Sequence, residues 1–435
     1  MITQSHNPPV IARSESPSDA AISSVQRPVS QGITLLRSRW WRKHLAFLTV
    51  AALCLLLPVG APSTEDDAPA QVMPPAAKVA LDLNRGISID RQFRSIPPEP
   101  IMRITPEDIQ LIKSMGFEFV KLLVNPEPLM SDARLDPEKK GYLEQIVDLV
   151  VHEGLPVVVC IHPEWEFKKT ILSNADGFAR FLGFLEDTAR FLANGWGPKQ
   201  LALQLMTEPG ANSMDWNELQ PRMWQAARRV MPEHTLILAG DQVGKIEGLA
   251  TTRPVNDANV VYSFTFYDPF VLTLQGGEWL SPELWSYLGS VPYPSSPEIV
   301  AARMPVILNR IPATPPEWRM AAEGMLIEYG NARWNQEKIA ACVQKLVDWN
   351  KSYGGGLKIW CAEFGCYQRT IDPEDRYRYI RDVRDAFEKN GIGWAYWSYN
   401  ETLTVMTPAR QPFGPARNQT PDEKLLEVLL GPEGH

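Results

Sequence analysis

A chain of 435 residues, 44% hydrophobic and 22% charged, is long enough for one large globular domain with appendages or for two ordinary domains. Its net charge of -8 leaves no basic footprint of the kind nucleic acid requires, so nucleic-acid partners are set aside. The five cysteines show no metal-ligand spacing, and the fourteen tryptophans suit either core packing or a cleft in which indoles stack on sugar faces.

Residues 1–43 are rich in Ser, Pro, Gln and Arg, lack apolar periodicity and read as a disordered cytoplasmic segment. Arg37, Arg39, Arg42 and Lys43 precede an apolar run over 44–61, and Glu65, Asp66 and Asp67 follow it. That asymmetry predicts a membrane segment with its N-terminus in the cytoplasm and the rest of the chain outside. The run fits a short uncleaved signal anchor, which Pro62 directly after Val59-Gly60-Ala61 favours, or the apolar region of a signal peptide. The first reading makes an inner-membrane-anchored protein with a periplasmic or otherwise extracytoplasmic domain, and the second a secreted one. Residues 62–79, rich in Pro, Ala and acids, read as a flexible linker.

From 80 to 430 short apolar runs alternate with longer amphipathic stretches. Strands are expected over 80–89, 117–124, 156–161, 201–206, 235–239, 260–264, 357–362 and 393–397. Helices are expected over 105–116, 137–152, 176–193, 216–230, 335–353, 373–389 and 421–430. Thr105-Pro106-Glu107-Asp108 is a good helix start, with a capping threonine, proline in the first turn and an acid three residues after the cap. Only a helical turn follows the fifth strand, and a long irregular insertion runs from Asp268 to about Arg333. Eight such units predict an α/β fold, a closed (β/α)8 TIM barrel whose right-handed crossovers bring every strand tip to one face. An open doubly wound sheet is the alternative, but no glycine-rich phosphate loop follows the first strand.

Polar residues at the strand tips are therefore the candidate site. Lys121 lies on the second strand, His162 and Trp165 end the third, and Thr207 and Glu208 end the fourth. Tyr267 ends the sixth, Glu363 the seventh and Trp397 the eighth. Glu208 and Glu363 each terminate an apolar strand, where a lone carboxylate is costly without a function. Two facing carboxylates are the minimum equipment for cleaving a glycosidic bond. One must hold a proton for the leaving oxygen, and the other must attack the anomeric carbon with help from hydrogen-bond donors. Tyr267 is the natural donor for Glu363. His162 reads either as a packed histidine or as a partner in the cleft's polar network, and Trp397 as core or as a floor for the sugar. Trp279, in the aromatic- and proline-rich insertion, reads as a stacking platform or as part of a self-packed lid. Cys361 and Cys366, flanking the Glu363 loop, read as a pair in an oxidising compartment or as free buried thiols.

The segments Leu83-Asn84-Arg85-Gly86-Ile87, Leu205-Met206-Thr207-Glu208-Pro209, Ser263-Phe264-Thr265-Phe266-Tyr267-Asp268-Pro269-Phe270, Ala362-Glu363-Phe364-Gly365 and Ala395-Tyr396-Trp397-Ser398 together resemble glycoside hydrolase family 5, the cellulase family. The resemblance implies a retaining mechanism with Glu208 as acid/base, Glu363 as nucleophile, Tyr267 and His162 in support and Trp397 under the sugar. It implies a β-linked polysaccharide as substrate. The chain departs from the family where Thr207 stands for Asn, Lys121 for a nucleophile-steadying Arg, and Thr265 and Leu274 for histidines. Those departures favour one alternative to hydrolysis, a non-catalytic glycan-binding accessory of polysaccharide secretion; a second, a transglycosidase, would use the same residues as the hydrolase. No metal and no organic cofactor is implied, since the carboxylate mechanism needs none.

Overall fold

The computed structural model describes residues 73–96, 103–210, 215–280, 282–407 and 419–431. The segments 1–43 and 44–61 lie outside them, with most of the linker. Among the described residues no helix is long and apolar enough to cross a membrane. These residues fall in a single compact unit spanning 71–435.

Eight parallel strands close into a barrel in chain order: β1 (Arg85–Ile89), β2 (Phe119–Val124), β3 (Val157–Ile161), β4 (Leu201–Gln204), β5 (Leu236–Ala239), β6 (Val260–Phe266), β7 (Lys358–Phe364) and β8 (Gly393–Tyr396), with β8 pairing back to β1. Helices between them form the outer layer: α1 (Pro106–Ser114), α2 (Lys140–His152), α3 (Trp165–Ser173), α4 (Ala175–Gly195), α5 (Trp216–Arg228), α6 (Ile246–Ala250), α7 (Pro297–Arg310), α8 (Pro316–Ala332), α9 (Gln336–Ser352), α10 (Pro373–Glu388) and α11 (Glu423–Leu430). Thr105 caps α1 through a reciprocal pair of bonds with Asp108.

The apolar residues divide into two bodies. A large cluster fills the space between strands and helices, with residues such as Ile87, Val120, Val159, Leu203, Phe264 and Phe364. A smaller one, Leu81, Leu83, Phe119, Val158, Ala202, Ile237, Val261, Trp360, Ala362 and Ala395, fills the lumen. Gly86 leaves room for it, because a Cβ there would stand 2.2 Å from the Phe119 ring.

The first strand is shorter than expected. Residues 80–84 cross under the barrel: the backbone N–H groups of Ala80 and Leu81 donate to Thr235 Oγ1 at 3.0 and 3.2 Å, and Leu81 and Leu83 plug the lumen from below. The last residues of the expected linker are tied to the same underside, Ala77 N to Gly356 O and Lys78 N to Ala258 O. With one end sealed by hydrocarbon, the opposite end is the open mouth.

Two further expectations change. The insertion after β6 is largely helical, and α7 packs on α8. The segment after β3, where no helix is expected, forms α3. Cys361 and Cys366 are both free, buried thiols.

Candidate active site

Local irregularity in β7 aims Glu363. Along β7, Trp360 and Ala362 face the lumen while Cys361 and Phe364 face the helices. Strict alternation would send Glu363 outward with Cys361. Instead β7 carries one extra residue against both neighbours: Phe264 pairs with Cys361 but Thr265 with Glu363, and Trp394 pairs with Cys361 but Tyr396 with Phe364. The bulge resets the phase, so that Ala362 and Glu363 both face inward.

Glu363 then meets donors from two other strands. Lys121 Nζ donates to Glu363 Oε1 at 2.5 Å and to the Ala362 carbonyl at 3.1 Å, and Tyr267 Oη donates to Glu363 Oε2 at 3.2 Å. Lys121 is fully buried, and Glu363 is 4% exposed. Burial alone works against the Lys121 charge, but Glu363 and, more weakly, Cys160 and Glu208 outweigh it and raise its pKa, so the ammonium persists. Burial and the two carboxylates push the Tyr267 phenol well above its ordinary value, which keeps it a donor.

Glu208 has different surroundings. Burial, then the charge of Glu363, raise its pKa to about 7; Lys168, Lys121 and a hydrogen bond with Thr265 oppose the rise. Its backbone is left-handed, with φ 48°. Gln242, Val243 and Gly244, also left-handed, lie beside it: Val243 N donates to the Pro209 carbonyl at 2.8 Å, and Thr265 Oγ1 to the Val243 carbonyl at 3.3 Å. A β-branched residue at positive φ is rare and costs on the order of 1–3 kcal/mol, a strain typical of functional sites.

The carboxyl's titration makes stability pH-dependent. A folded-state value near 7 lies above the unfolded value of about 4.3, so the folded state binds the extra proton between them, and stability falls as pH rises through that window. Glu208→Gln should therefore melt above wild type at pH 8, by about 2–3 kcal/mol once the half-burial of the residue is discounted, with the gain fading at pH 5. Thermal denaturation at the two pH values checks this; an equal gain at both would contradict it.

His162, at the end of β3, is half-buried and neutral: burial, then Lys168, Lys121 and Arg94, hold its pKa well below the usual value. Thr207 is fully buried, and its hydroxyl finds no hydrogen-bond partner among the described residues. Trp397 stands half-buried after β8. Trp165 and Trp279 belong to the rim, not to the hydrogen-bonded centre. Trp165, 39% exposed, lies on Gly210, where a Cβ would come within 2.9 Å of its ring, and Trp279, 40% exposed, stands edge-on to Tyr367 with centroids 4.9 Å apart.

Several residues here were not among the sequence candidates. Lys168, on α3, is 3% exposed and donates to the Glu208 carbonyl at 2.9 Å. Thr265, read only as a departure from the family, bonds Glu208. Beyond β1 and β8, Asp90 and Asn400 exchange hydrogen bonds of 3.2 and 3.0 Å, Arg91 pairs with Glu401, and Arg94 bridges Asp90 at 2.9 Å to Glu164 at 3.3 Å. Among the described residues no group of three or more His, Cys, Asp or Glu is placed to hold a metal ion.

The lumen is sealed below and carries at its mouth two carboxyl groups in unlike surroundings, an arrangement suited to acid and base chemistry. Comparisons with known proteins point the same way. The family model for cellulase (glycosyl hydrolase family 5) matches residues 92–402. Endoglucanase C of Acetivibrio thermocellus is 24% identical over 310 residues, which are 68% of this chain and 84% of the relative. Cellodextrinase A of Ruminococcus flavefaciens is 19% identical over 299 residues, 66% of this chain and 76% of the relative. Among solved structures, the cellulose synthase subunit Z of Clostridioides difficile superposes with a TM-score of 0.62 at 19% identity, covering 80% of this chain and all of that one. Endoglucanase Cel5A of Thermotoga maritima gives 0.61 at 22% identity, covering 80% and 97%. The family model spans most of the barrel, and the chain belongs to glycosyl hydrolase family 5, the cellulases, as a glycoside hydrolase.

Proposed function

We propose that the protein is a retaining β-glycosidase of the endoglucanase kind, acting outside the cytoplasm on a β-linked polysaccharide. The observation that carries this reading is the asymmetry of the two carboxyl groups. Glu363 accepts from a buried ammonium and from a phenol, while half-buried Glu208 holds its proton up to about pH 7.

In the first step a Glu363 oxygen attacks the anomeric carbon as the Glu208 proton passes to the leaving glycosidic oxygen, forming a glycosyl ester. In the second, Glu208, now ionised, takes a proton from water, whose oxygen displaces Glu363 and leaves the sugar with its original configuration. Lys121 and Tyr267 orient the attacking carboxylate, and neutral His162 offers hydrogen bonds to sugar hydroxyls, whereas the Thr207 hydroxyl is enclosed beneath the cleft. Trp397 underlies the reacting ring, and Trp165 and Trp279 supply stacking surfaces along the chain. The run over 44–61 would anchor the domain to the membrane.

The relatives, named endoglucanase and cellodextrinase, support a β-linked glucan as the substrate class. Cel5A of Thermotoga maritima has been solved in complex with cellobiose and with mannotriose, so mannans belong on the panel. The test is release of reducing sugar by the full chain from β-glucans and β-mannans, with the product anomer followed by proton NMR. The β-anomer appearing first is expected; the α-anomer first, or release from neither polymer, would overturn the reading.

A further inference from the structure

The helix α3 has an unusual buried face. Its inward positions are Lys168, Ile171 and Leu172, so a lysine takes the place of the first apolar residue in the stripe. Among the described residues the ammonium has no aspartate or glutamate side chain at salt-bridge distance. It donates to the main-chain carbonyl of Glu208, in a residue already held at φ 48°. The same helix lays Trp165 against Gly210, and the ring faces Lys168 at 6.0 Å and Lys169 at 5.6 Å from its centroid. One short helix therefore grips the strand-tip segment 207–210 from one side, while the left-handed turn at Gln242–Gly244 grips it from the other through the Pro209 carbonyl.

We propose that Lys168 is a positioning residue for the acid/base carboxyl, its buried ammonium clamping the Glu208 carbonyl so that the left-handed backbone presents the side chain to the glycosidic oxygen. The inference rests on the reading of Glu208 as acid/base. A clamp of this kind has an electrostatic consequence that a neutral donor would lack. Glu208 is faced by Glu363 from β7, Lys121 from β2, Lys168 from α3 and Thr265 from β6, with Tyr267 and Cys160 also within electrostatic reach. The two lysines are the only cations in that set, and they oppose the effect of Glu363. Loss of Lys168 leaves burial and Glu363 less opposed, so the carboxyl should keep its proton to higher pH.

The experiment is a 13C carboxyl titration of Glu208 in the full chain, assigned by difference from Glu208→Gln, in wild type, Lys168→Met and Lys168→Gln. Both substitutions should move the midpoint upward by about one pH unit. Cellopentaose turnover should separate them: Lys168→Met should lose about 10-fold or more in kcat with KM little changed, because the carbonyl loses its donor, whereas Lys168→Gln should keep more of it. If Lys168→Met does not fold, Lys168→Gln alone carries the titration. An unmoved midpoint in the folded variants would overturn the proposal. Should the midpoint move while Glu208→Gln turns over cellopentaose like wild type, the acid/base reading has failed, and with it the role given to the clamp.

Discussion

Glu363→Gln should abolish turnover, lowering kcat by about 10⁴-fold or more while leaving glycan binding intact. The side chain is almost isosteric: its amide oxygen still accepts from Lys121, while its NH2 must donate to the Tyr267 oxygen where a carboxylate oxygen had accepted. What disappears is the anionic oxygen able to form a bond to carbon. Glu208→Ala should behave differently in kind: a substrate with an acidic leaving group needs little protonation, so the variant should retain much of its glycosylation rate on an aryl β-cellobioside while losing most of its rate on the polysaccharide. A Glu363→Gln protein with even a tenth of wild-type turnover would contradict the assignment.

Lys121→Met should have the largest effect on stability. Lys121 and Glu363 form an ion pair in which neither side chain has appreciable access to water. Removing one partner from such a pair strands the other charge, at a cost of about 3–5 kcal/mol. The double variant Lys121→Met with Glu363→Gln should recover a large part of that loss, because no buried charge is left to strand. Chemical denaturation of the four proteins measures the coupling; strictly additive losses would mean that the 2.5 Å contact carries no special energy. In the single variant turnover should also fall by about 10²-fold or more, since the nucleophile loses an oriented cation.

The sequence showed the barrel because its signal is periodic. Runs such as Val157–Ile161, short, rich in valine and preceded by Gly154 and Pro156, read as strands covered on both faces, and this one is buried along its whole length. It also showed the two carboxylates, because a single acid at the end of such a run is conspicuous. What alternation could not show was how Glu363 turns inward, since that depends on a bulge set by the pairing of β7 with both neighbours. Prolines misled the reading of the insertion. Pro297 and Pro316 sit in the first turns of α7 and α8, where a missing N–H costs nothing, and Pro305 lies within α7, with Ala301, four residues earlier, exposed to water.

Lys168 was legible in principle. It stands three and four residues before Ile171 and Leu172, on the apolar stripe of a nine-residue helix, and a lysine in such a stripe is either a misplaced boundary or a buried group with a partner. Finding that partner requires the fold, because forty residues separate it from Glu208. Thr265 was hidden for a related reason: judged against the family it is a loss, whereas in the structure its hydroxyl links Glu208 to the Val243 turn.

Glu363 is expected to form a covalent bond to the sugar, and that bond can be trapped. The full chain treated with a 2-deoxy-2-fluoro cellobioside bearing an activated leaving group should gain one fluoro-cellobiosyl unit, and peptide mass spectrometry should locate it on Glu363. A label on Glu208 would reverse the two roles, and no label on a chain that still releases sugar would contradict a covalent intermediate altogether.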